Sequence, residues 1–504
     1  MDVATALRWA AARHPDRAAV TGSGRHLSYR DWDLRTDRLA GALARAGVHR
    51  GARVGLAMTG GEPLASLHLA AQKLAAASVP LSTRFSVDEL RYCLADCGAA
   101  LLVVDEQNQE RAAAAAPDGV AVRTAAELDA LAAAAPHAPA GPVTGADTSV
   151  VLYTSGTTGR PKGVPRSHRA EHAAALAHAV QTQQRLGEVA LGVMPLFHTM
   201  GLRTLLTSIV VGGTWVAQPV FDVEESLDLV LSQSVTSLYL VPTIFWSLAR
   251  SGRLAEAPGL DRLAYAGAAM APELAERLAE QVAPSSFVNH FGSTEIYTFT
   301  IHPDVAGKPG CAGRAGMFSQ VRLVAPEADA PPDAVVAAGE QGQVIVSTAS
   351  PEAFTGYWQR PDADARAIRD GWYYTGDLAV ADPDGDLWVA GRVDDMINSG
   401  GENVYPDEIE AVLARCPEID DLCVVGMPDE RWGHAVTAFV VPAAGTTPET
   451  AAAKALAYAR DALPSLKRPK HVIAVDAVPR SGVGKTLRRV LQAGDYETRG
   501  EARA

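Results

Sequence analysis

Short runs of β-branched and aliphatic residues alternate with Ala- and Leu-rich segments in the first part of the chain, and this alternation limits the choice of fold. Residues 53–58 and 99–104 have the length and composition of buried strands, and residues 63–77 between them are typical of a helix. Strands separated by helices pair in parallel through crossover connections. The sequence therefore predicts an α/β fold built on a largely parallel sheet.

The alternation continues beyond residue 148 and changes in character near residue 310. Residues 110–145 are Ala-rich with scattered Pro and Gly, which is typical of surface helix and loop. Short strands at residues 321–324 and 343–347 lie among Gly and Pro turns and predict a small β-barrel-like region. The strand-like segments of a second α/β layer are residues 190–195, 213–217, 235–241 and 263–267.

The C-terminal part has the pattern of a compact module of its own. We predict helices at residues 406–416 and 450–462, with strands at residues 422–425 and 435–441. The expected fold class is α/β, with two domains. The large N-terminal domain, residues 1–393, has two stacked α/β sheets plus the β-barrel-like region, and the small mobile α+β C-terminal domain is residues 394–504.

Length and composition exclude several classes of protein. A chain of 504 residues exceeds what one hydrophobic core supports, and its formal charge of −13 argues against a general nucleic-acid binder. The N-terminus has no signal-peptide pattern, and the least charged stretch, residues 205–220, is interrupted by two glycines and is short for a membrane span. Five cysteines without a Cys-x-x-Cys pair indicate reduced thiols in a cytoplasmic protein without a structural metal.

Residues 153–164 have the composition of a polyphosphate-binding loop. They follow the predicted strand 149–152 and combine Ser and Thr hydroxyls, glycines and Lys162. Glycines let backbone N–H groups approach phosphate oxygens, hydroxyls add donors, and lysine adds a positive charge. The spacing is not that of a Walker A loop, and Pro161 beside the lysine disfavours a helix directly after it. An ordinary turn is the alternative, but so long a run after a strand favours phosphate binding.

Two later segments place small, aromatic and acidic residues at predicted strand ends. Gly267 and Ala268 follow a strand at a point where a flat ring could lie against the backbone, although an ordinary strand-to-helix turn has the same pattern. Within residues 290–295, Phe291 can stack on a base and Glu295 can bind Mg²⁺ together with phosphate oxygens. The alternative for Glu295 is a solvated residue of a turn.

Three single residues are weaker candidates. Asp377 follows a predicted strand and can accept both hydroxyls of a ribose, or can cap a turn as many loop aspartates do. Lys485 follows a Gly-containing segment near the C-terminus, where it is either a surface lysine or a cation delivered to an active site by a loop. His198 is more often a hydrogen-bonded structural residue than a catalyst in such a context.

Taken in order, these motifs resemble those of the adenylate-forming superfamily, which comprises acyl-CoA synthetases, luciferases and the adenylation domains of peptide synthetases. The resemblance covers nearly the whole chain and implies ATP, Mg²⁺ and coenzyme A as cofactors and a small carboxylic acid as substrate. Residues 391–403, 431–433 and 466–470 especially resemble 4-chlorobenzoate:CoA ligase and related aryl-CoA ligases. The segments that match the superfamily are residues 153–163, 292–295, 375–377, 391–406 and Lys485.

The resemblance also implies roles for individual residues, with Lys485 bridging the carboxylate and the triphosphate and Asp394 as the hinge between domains. The implied catalytic residues are Lys485, His198 and Glu295, and the implied metal site is Glu295 with Thr154. The implied ATP-binding residues are Thr154, Ser155, Gly156, Thr157, Thr158, Gly159, Lys162, Gly267, Ala268, Phe291, Gly292, Ser293, Thr294, Asp377 and Arg392. The implied acyl pocket is His198, Thr199, Met200, His290, Gly292 and Thr298, and the implied coenzyme A contacts are Arg84, Gly400, Gly401, Trp432 and Arg468.

The chain departs from the aryl-CoA ligases in the implied acyl pocket. His290 stands where those enzymes have an aliphatic residue, and Thr199 stands in place of a valine. An unpaired buried imidazole is costly, so these departures predict a benzoate-class acid with a hydrogen-bonding substituent, such as hydroxyl or amino, that contacts His290. A second expectation is that Arg203 anchors a second carboxylate of the substrate.

Several alternatives to an aryl-CoA ligase stay open. A stand-alone enzyme could load a carrier protein instead of coenzyme A, and a medium-chain fatty-acyl-CoA ligase is a further alternative. Long-chain fatty acids are disfavoured by the bulk of Met200 and His290. Amino-acid activation is disfavoured because no aspartate follows His198 closely, and a non-catalytic relative is disfavoured because Lys485 and Glu295 are both present. Nothing in the sequence requires luciferase-like oxidation. The expected oligomeric state is a monomer or a homodimer, with no nucleic-acid or membrane partner.

Overall fold

The computed structural model describes residues 2–133, 142–154, 160–327, 329–399, 402–429, 431–480 and 486–503. They form two compact units, which we call the first unit (residues 1–321 and 346–373) and the second unit (residues 322–345 and 374–504). The predicted hinge at Asp394 lies inside the second unit. The predicted domain boundary at Asp394 refers to a rotation of the C-terminal domain about this residue, and it stays a prediction.

Helices and strands alternate through most of the chain. The helices are α1 (Val3–Arg13), α2 (Tyr29–Arg45), α3 (Glu62–Lys73), α4 (Val87–Cys97), α5 (Gln109–Ala115), α6 (Ala125–Ala133), α7 (His168–Gln181), α8 (Thr199–Val210), α9 (Val223–Ser232), α10 (Pro242–Ala249), α11 (Pro272–Val282), α12 (Pro361–Ala367), α13 (Pro406–Leu413), α14 (Pro448–Ala462) and α15 (Arg488–Gln492). The strands are β1 (Ala18–Gly22), β2 (Arg25–Ser28), β3 (Arg53–Ala57), β4 (Ala77–Pro80), β5 (Leu101–Val104), β6 (Ala121–Thr124), β7 (Thr148–Thr154), β8 (Lys162–Ser167), β9 (Val189–Gly192), β10 (Thr214–Ala217), β11 (Ser237–Leu240), β12 (Arg262–Ala266), β13 (Ser286–Phe291), β14 (Thr300–His302), β15 (Arg314–Ala315), β16 (Val321–Val324), β17 (Gln341–Ser347), β18 (Ile368–Arg369), β19 (Trp372–Ala381), β20 (Leu387–Arg392), β21 (Ile397–Ser399), β22 (Glu402–Val404), β23 (Ile419–Asp429), β24 (Gly433–Pro442), β25 (His471–Ala474) and β26 (Gly500–Arg503).

The first unit contains a six-stranded sheet with the order β6-β5-β3-β4-β7-β8. Its strands pair in parallel except for β7 and β8, which are antiparallel. All four residues of β5 are buried, as expected of an apolar strand inside a parallel sheet. The strand predicted at residues 149–152 is found as β7, and the segment after Lys162 is a strand and not a helix, as the sequence indicated.

A nine-stranded sheet, with the order β15-β14-β13-β12-β11-β9-β10-β1-β2, forms the second α/β layer of this unit. The pairs β10–β9, β9–β11, β11–β12 and β12–β13 are parallel, so these strands end at one edge of the sheet. Carboxyl ends of parallel strands are where α/β proteins bind ligands. The predicted pair of α/β layers is therefore confirmed.

Two predicted segments in the first unit were wrong in detail. The helix predicted at residues 63–77 ends at Lys73, because Ala75 has a φ of 53° and Ala77 begins strand β4. Three consecutive alanines, residues 75–77, hid this boundary, because alanine has the highest helix propensity of all residues. Residues 110–145 also contain β6, which pairs with β5 and was not predicted.

Two sheets include strands of the second unit. Strands β16 to β20 form a five-stranded sheet, in the region predicted to be barrel-like, and β21 to β26 form a six-stranded sheet. In the pair β19–β20, Asp377 is opposite Arg392 and Leu378 is opposite Gly391, but Ala379 is opposite Val389. Ala390 is thus an extra residue in a β-bulge, and Gly391 has a φ of 137°, which favours glycine.

Helix lengths and hydropathy were compared with the requirements of a lipid bilayer. Within the described ranges, none of the helices combines the length and the apolar character needed to cross one.

Candidate active site

The predicted phosphate loop joins two paired strands. Thr154, the last residue of β7, lies opposite Lys162, the first residue of β8, and its Oγ1 donates to the Lys162 carbonyl over 3.5 Å. On the next residue, the Gly163 carbonyl accepts a hydrogen bond of 2.8 Å from the backbone N–H of Trp358. The loop residues between the strands, Ser155, Gly156, Thr157, Thr158 and Gly159, lie outside the described residues.

Tyr357 contacts both Glu295 and Lys162. The Tyr357 hydroxyl donates to Glu295 Oε1 over 2.7 Å, and the Lys162 ammonium lies 4.2 Å from the centre of the Tyr357 ring. Burial and the neighbouring carboxylate raise the pKa of Tyr357, so its hydroxyl keeps the proton that it donates. Glu295 is buried, which contradicts the alternative of a solvated turn residue. Tyr357 was not predicted, because it is 62 residues away from Glu295 and no local pattern marks it.

The segment around Glu295 is an irregular turn that follows β13. Ser293 Oγ accepts hydrogen bonds from the backbone N–H groups of Glu295, at 3.2 Å, and Ile296, at 3.4 Å. A Cβ at Gly292 would overlap the carbonyl oxygen of Tyr297, so only glycine fits there. Thr294, also predicted to bind ATP, contributes its carbonyl to a hydrogen bond with Arg166.

Gly267 and Phe291 lie at adjacent strand ends. Ala266 of β12 pairs with His290 of β13, and each predicted adenine-binding residue directly follows one member of that pair. Gly267 and Ala268 are exposed, whereas the Phe291 ring is half-buried and nearly perpendicular to the Phe299 ring at a centroid distance of 5.2 Å. This arrangement leaves an exposed backbone strip beside an aromatic ring, as a stacked base requires.

Three of the implied acyl-pocket residues lie at the start of α8. His198 caps this helix, since its Nδ1 accepts from the backbone N–H of Met200 over 3.3 Å. Met200 and Thr298 are buried, and Thr199 is half-buried. Capping gives His198 a structural role, and its catalytic role stays a prediction.

His290 belongs to a buried cluster with His178, Tyr239 and Arg203. The His290 ring lies 5.0 Å from that of His178 and 5.3 Å from that of Tyr239, and its Nδ1 is 3.3 Å from Arg203 Nη1. A guanidinium only donates hydrogen bonds, so Nδ1 is the acceptor. Burial, together with His178 and Arg203, lowers the pKa of His290 well below its ordinary value. The ring is therefore neutral and carries its proton on Nε2, which has no hydrogen-bond partner among the described residues.

Arg203 has its charge partner inside the protein. Its Nη2 lies 3.4 Å from Glu352 Oε2 and donates to Thr298 Oγ1 over 3.1 Å, and both charged side chains are buried. This arrangement does not favour the expectation that Arg203 anchors a carboxylate of the substrate, because Glu352 already faces the guanidinium. Glu352, His178 and Tyr239 were missed by the sequence analysis, since their partners lie far away along the chain.

The predicted ribose-binding residues meet in the second unit. Arg392 Nη1 donates to Asp377 Oδ1 over 2.5 Å, and Arg392 Nη2 donates to the Thr375 carbonyl over 3.3 Å. The Asp377 backbone N–H is bonded to Thr375 Oγ1 at 2.9 Å, which fixes the turn before the carboxylate. The two side chains are thus held together by the ladder between β19 and β20.

A cationic cluster surrounds Trp432, also in the second unit. The Arg431 guanidinium and the Lys470 ammonium lie 4.9 Å and 4.8 Å from the indole ring. Burial, together with Arg468 and Arg431, lowers the pKa of Lys470. Arg468 donates to the Leu463 carbonyl over 2.8 Å. Such a cluster suits an anionic ligand that also has a flat ring.

The remaining predicted residues are Arg84, Asp394, Gly400, Gly401 and Lys485. Arg84 follows β4 in the first unit, where its backbone N–H is bonded to Ser82 Oγ at 3.2 Å. Asp394 lies in the short 3₁₀ turn Val393–Asp395 of the second unit. Gly400, Gly401 and Lys485 lie outside the described residues.

Comparisons with known proteins identify the family of the chain. Residues 7–358 match the AMP-binding enzyme family, and residues 408–485 match the AMP-binding enzyme C-terminal domain. A feruloyl-CoA synthase of Amycolatopsis sp. is 36% identical over 480 residues, which cover 94% of this chain and 95% of the relative. A 4-chlorobenzoate–CoA ligase of Arthrobacter sp. is 32% identical over 501 residues, which cover 96% of this chain and 94% of the relative.

The fold is likewise shared with solved structures. The crystal structure of ATP-bound MatB from Rhodopseudomonas palustris superposes with a TM-score of 0.88 at 29% identity, over 98% of this chain and 99% of that one. The family match spans more than half of the chain, and both relatives exceed 30% identity over almost its full length. The chain therefore belongs to the AMP-binding enzyme family of the adenylate-forming superfamily, within its AMP-forming acid–thiol ligases.

Proposed function

We propose that the protein is an ATP-dependent carboxylate:CoA ligase acting on an aromatic carboxylic acid. A carboxylate oxygen attacks the α-phosphorus of ATP and pyrophosphate leaves; the thiol sulfur of coenzyme A then attacks the acyl carbonyl carbon, and AMP leaves with the mixed-anhydride oxygen. The observation that carries the proposal is the convergence of Lys162, Tyr357 and Glu295 beside the phosphate hairpin in a chain of this family.

Positioning and charge neutralisation account for most of the first step. The hairpin end with Thr154 and Lys162 would hold the β- and γ-phosphates. Phe291 and the Gly267–Ala268 backbone would enclose the adenine, and the Asp377 carboxylate, oriented by Arg392, would accept the ribose hydroxyls. The adenylation lysine, Lys485, would bridge the two anions that must react.

A divalent cation fits the chemistry of the two proposed metal ligands, Glu295 and Thr154. A buried carboxylate and the Thr154 hydroxyl are hard oxygen ligands, which Mg²⁺ prefers, and Tyr357 occupies only one carboxylate oxygen with its hydrogen bond. When bound, Mg²⁺ would neutralise part of the triphosphate charge. The chain's own contribution is to hold the Glu295 carboxylate in place through the Tyr357 hydroxyl.

The second step would use residues of the second unit. By resemblance, the chain turns about Asp394 so that the loop with Gly400 and Gly401 lines the coenzyme A channel. Trp432, Arg468 and Arg84 would contact coenzyme A, and the cations around Trp432 suit its phosphates and adenine ring.

The Nε2 atom of His290, which has no hydrogen-bond partner among the described residues, supports a polar substituent on the acid. Because Arg203 donates to Nδ1, Nε2 carries a proton and offers a donor that no described residue accepts. A phenolic or ether oxygen on the ring of the substrate would satisfy it, and leaving a buried donor unpaired costs about 1–3 kcal/mol. An oxygen substituent is therefore expected to be preferred over an amino group, which accepts hydrogen bonds poorly.

The proposed role of His290 predicts a change in substrate preference. In His290→Ala, the preference for 4-hydroxybenzoate over benzoate, measured as the ratio of kcat/KM values, is expected to fall about tenfold, in line with one lost buried hydrogen bond. His168→Ala is the matched control, because His168 is also a buried imidazole but is bonded to the backbone N–H of Val3 at 3.2 Å. An unchanged preference in the His290 variant would contradict the proposed contact.

The proposed function is tested by AMP release from Mg·ATP across benzoates, hydroxy- and aminobenzoates, cinnamates and C2 to C12 fatty acids, with and without coenzyme A. AMP formation that requires an aromatic acid and coenzyme A supports the proposal. Accumulation of adenylate without thioester would point to a carrier protein as acceptor. AMP release with fatty acids alone would mean that the substrate is a fatty acid and not an aromatic acid. No AMP release with any acid of the panel would favour a non-catalytic relative.

A further inference from the structure

The proposed metal-binding turn is bound by a guanidinium that the reaction scheme does not use. Arg166 lies on β8, after Lys162, and its side chain is completely buried. Its Nη1 donates to the carbonyls of Thr294 at 3.2 Å and Glu295 at 3.1 Å. The same nitrogen donates to the Glu352 carbonyl at 2.8 Å. One nitrogen thus reaches two segments that are distant in sequence.

Those two segments carry the groups that determine where the Glu295 carboxylate lies. The turn after β13 has little regular secondary structure, so its buried carbonyls need donors from elsewhere. The segment that begins at Glu352 leads to Tyr357, whose hydroxyl binds Glu295 Oε1. Arg166 therefore fixes the backbone of Glu295 and also the segment that orients its side chain.

The guanidinium is itself held rigidly by neighbouring side chains. Arg166 Nε donates to Glu171 Oε1 over 2.6 Å, and the second oxygen of Glu171 accepts from the Tyr297 hydroxyl at 3.2 Å. The guanidinium carbon lies 3.6 Å from the centre of the Tyr297 ring. A buried ion pair gives little net stability, so stabilising the fold alone does not account for this cluster.

We infer that Arg166 is a positioning residue for the divalent-cation site, acting through the backbone and the carboxylate of Glu295. The inference rests on the proposed function, because the role of Glu295 toward a metal belongs to it. Arg166 touches neither metal nor substrate in this scheme. The planar guanidinium connects strand β8, which follows the predicted phosphate loop, to the turn that carries Glu295. The distance between β8 and the Glu295 carboxylate is thereby held constant.

Arg166→Lys tests this inference, because lysine keeps the charge but cannot reach the carbonyls and Glu171 in the same geometry. Mn²⁺ binding to the protein with α,β-methylene-ATP is measured by loss of the free Mn²⁺ signal in electron paramagnetic resonance, which requires no turnover. We expect binding about 10- to 100-fold weaker than in the unmodified protein, the range typical for loss of a group that orients a metal ligand.

Arg262→Lys is the matched control. Arg262 is also buried and is bonded to the Gln183 carbonyl at 2.6 Å and to Glu188 at 3.3 Å, but it lies at the start of β12, away from the carboxyl edge. Its Mn²⁺ affinity is expected to equal that of the unmodified protein. Tyr297→Phe is a milder probe that keeps the ring over Arg166 and removes the bond to Glu171, with an expected loss of about threefold.

The outcomes separate this inference from the proposed function. A folded Arg166→Lys with unchanged Mn²⁺ affinity overturns the inference, as does an equal loss in Arg262→Lys. If Arg166→Lys does not fold, unchanged affinity in Tyr297→Phe overturns it. Absence of Mn²⁺ binding in the unmodified protein overturns it together with the metal role of Glu295. Weakened Mn²⁺ binding in a protein that adenylates no acid would contradict the proposed ligase and support the positioning role.

Discussion

Replacement of Lys485 by alanine is expected to slow acyl-adenylate formation by about 10²- to 10³-fold, the usual loss when one preorganised electrostatic donor is removed. The reason is that a carboxylate and a triphosphate repel each other, and this cation would lie between them. The rate is measured as acid-dependent exchange of pyrophosphate into ATP. The reaction of preformed acyl-adenylate with coenzyme A should be nearly unaffected, because the adenylyl group has already been transferred to the acid.

The chain offers a matched control, and the segment that follows Lys485 has an anchor among the described residues. Lys454 is an exposed lysine on α14, and Lys454→Ala is expected to retain full exchange activity. The segment that follows Lys485 is anchored at Arg488, which is 3.1 Å from Asp395 and 2.7 Å from Glu410. Asp395 is adjacent to the proposed hinge residue, so a turn about Asp394 would move this anchor as well. Equal loss of both half-reactions in Lys485→Ala would contradict its assignment to adenylation.

Glu295→Gln is expected to lower kcat/KM for adenylation by about 10²-fold or more, because an amide keeps the shape of the side chain but not its charge. Part of this loss should be recovered at high Mg²⁺ concentration, and the measurement is the Mg²⁺ dependence of pyrophosphate exchange. Loss of activity without any change in that dependence would argue against a metal-binding role.

Tyr357→Phe separates the charge of Glu295 from its orientation. It removes the 2.7 Å hydrogen bond to Oε1 while retaining the Glu295 carboxylate and the ring beneath Lys162. The expected loss is therefore about tenfold, much smaller than for Glu295→Gln. A larger effect for Tyr357→Phe than for Glu295→Gln would mean that the tyrosine hydroxyl, rather than the carboxylate, carries the function.

Local sequence patterns indicated many of the strands and the short segments that carry the candidate site residues. The hydroxyl- and glycine-rich run after a β-branched strand indicated the phosphate hairpin, and β7 and β8 are found on either side of it. Gly267 and Phe291 were predicted separately, and the parallel register of β12 and β13 brings them to adjacent strand ends. Periodicity and turn chemistry carry this information because they act over a few residues.

Contacts between distant residues could not be predicted in the same way. Arg166 bonds to the Glu352 carbonyl across 186 residues, and Arg203 meets Glu352 across 149. Each of these side chains has the appearance of an ordinary surface charge in its own stretch of sequence, since arginine and glutamate are seldom buried unless paired. Only the tertiary fold shows that they are buried and which groups they face.

The β-bulge between β19 and β20 determines which residue lies opposite Asp377. With the same turn and a regular ladder, the residue opposite Asp377 would be Gly391, and Arg392 would be displaced by one position to the other face of the sheet. The bulge depends on the positive φ of Gly391, which a residue with a side chain adopts only with strain. The pairing of Asp377 with Arg392 therefore depends on Gly391, a residue that has no side chain to contact a ligand. A relative that keeps the aspartate and the arginine but lacks this glycine would therefore have the right residues in the wrong register.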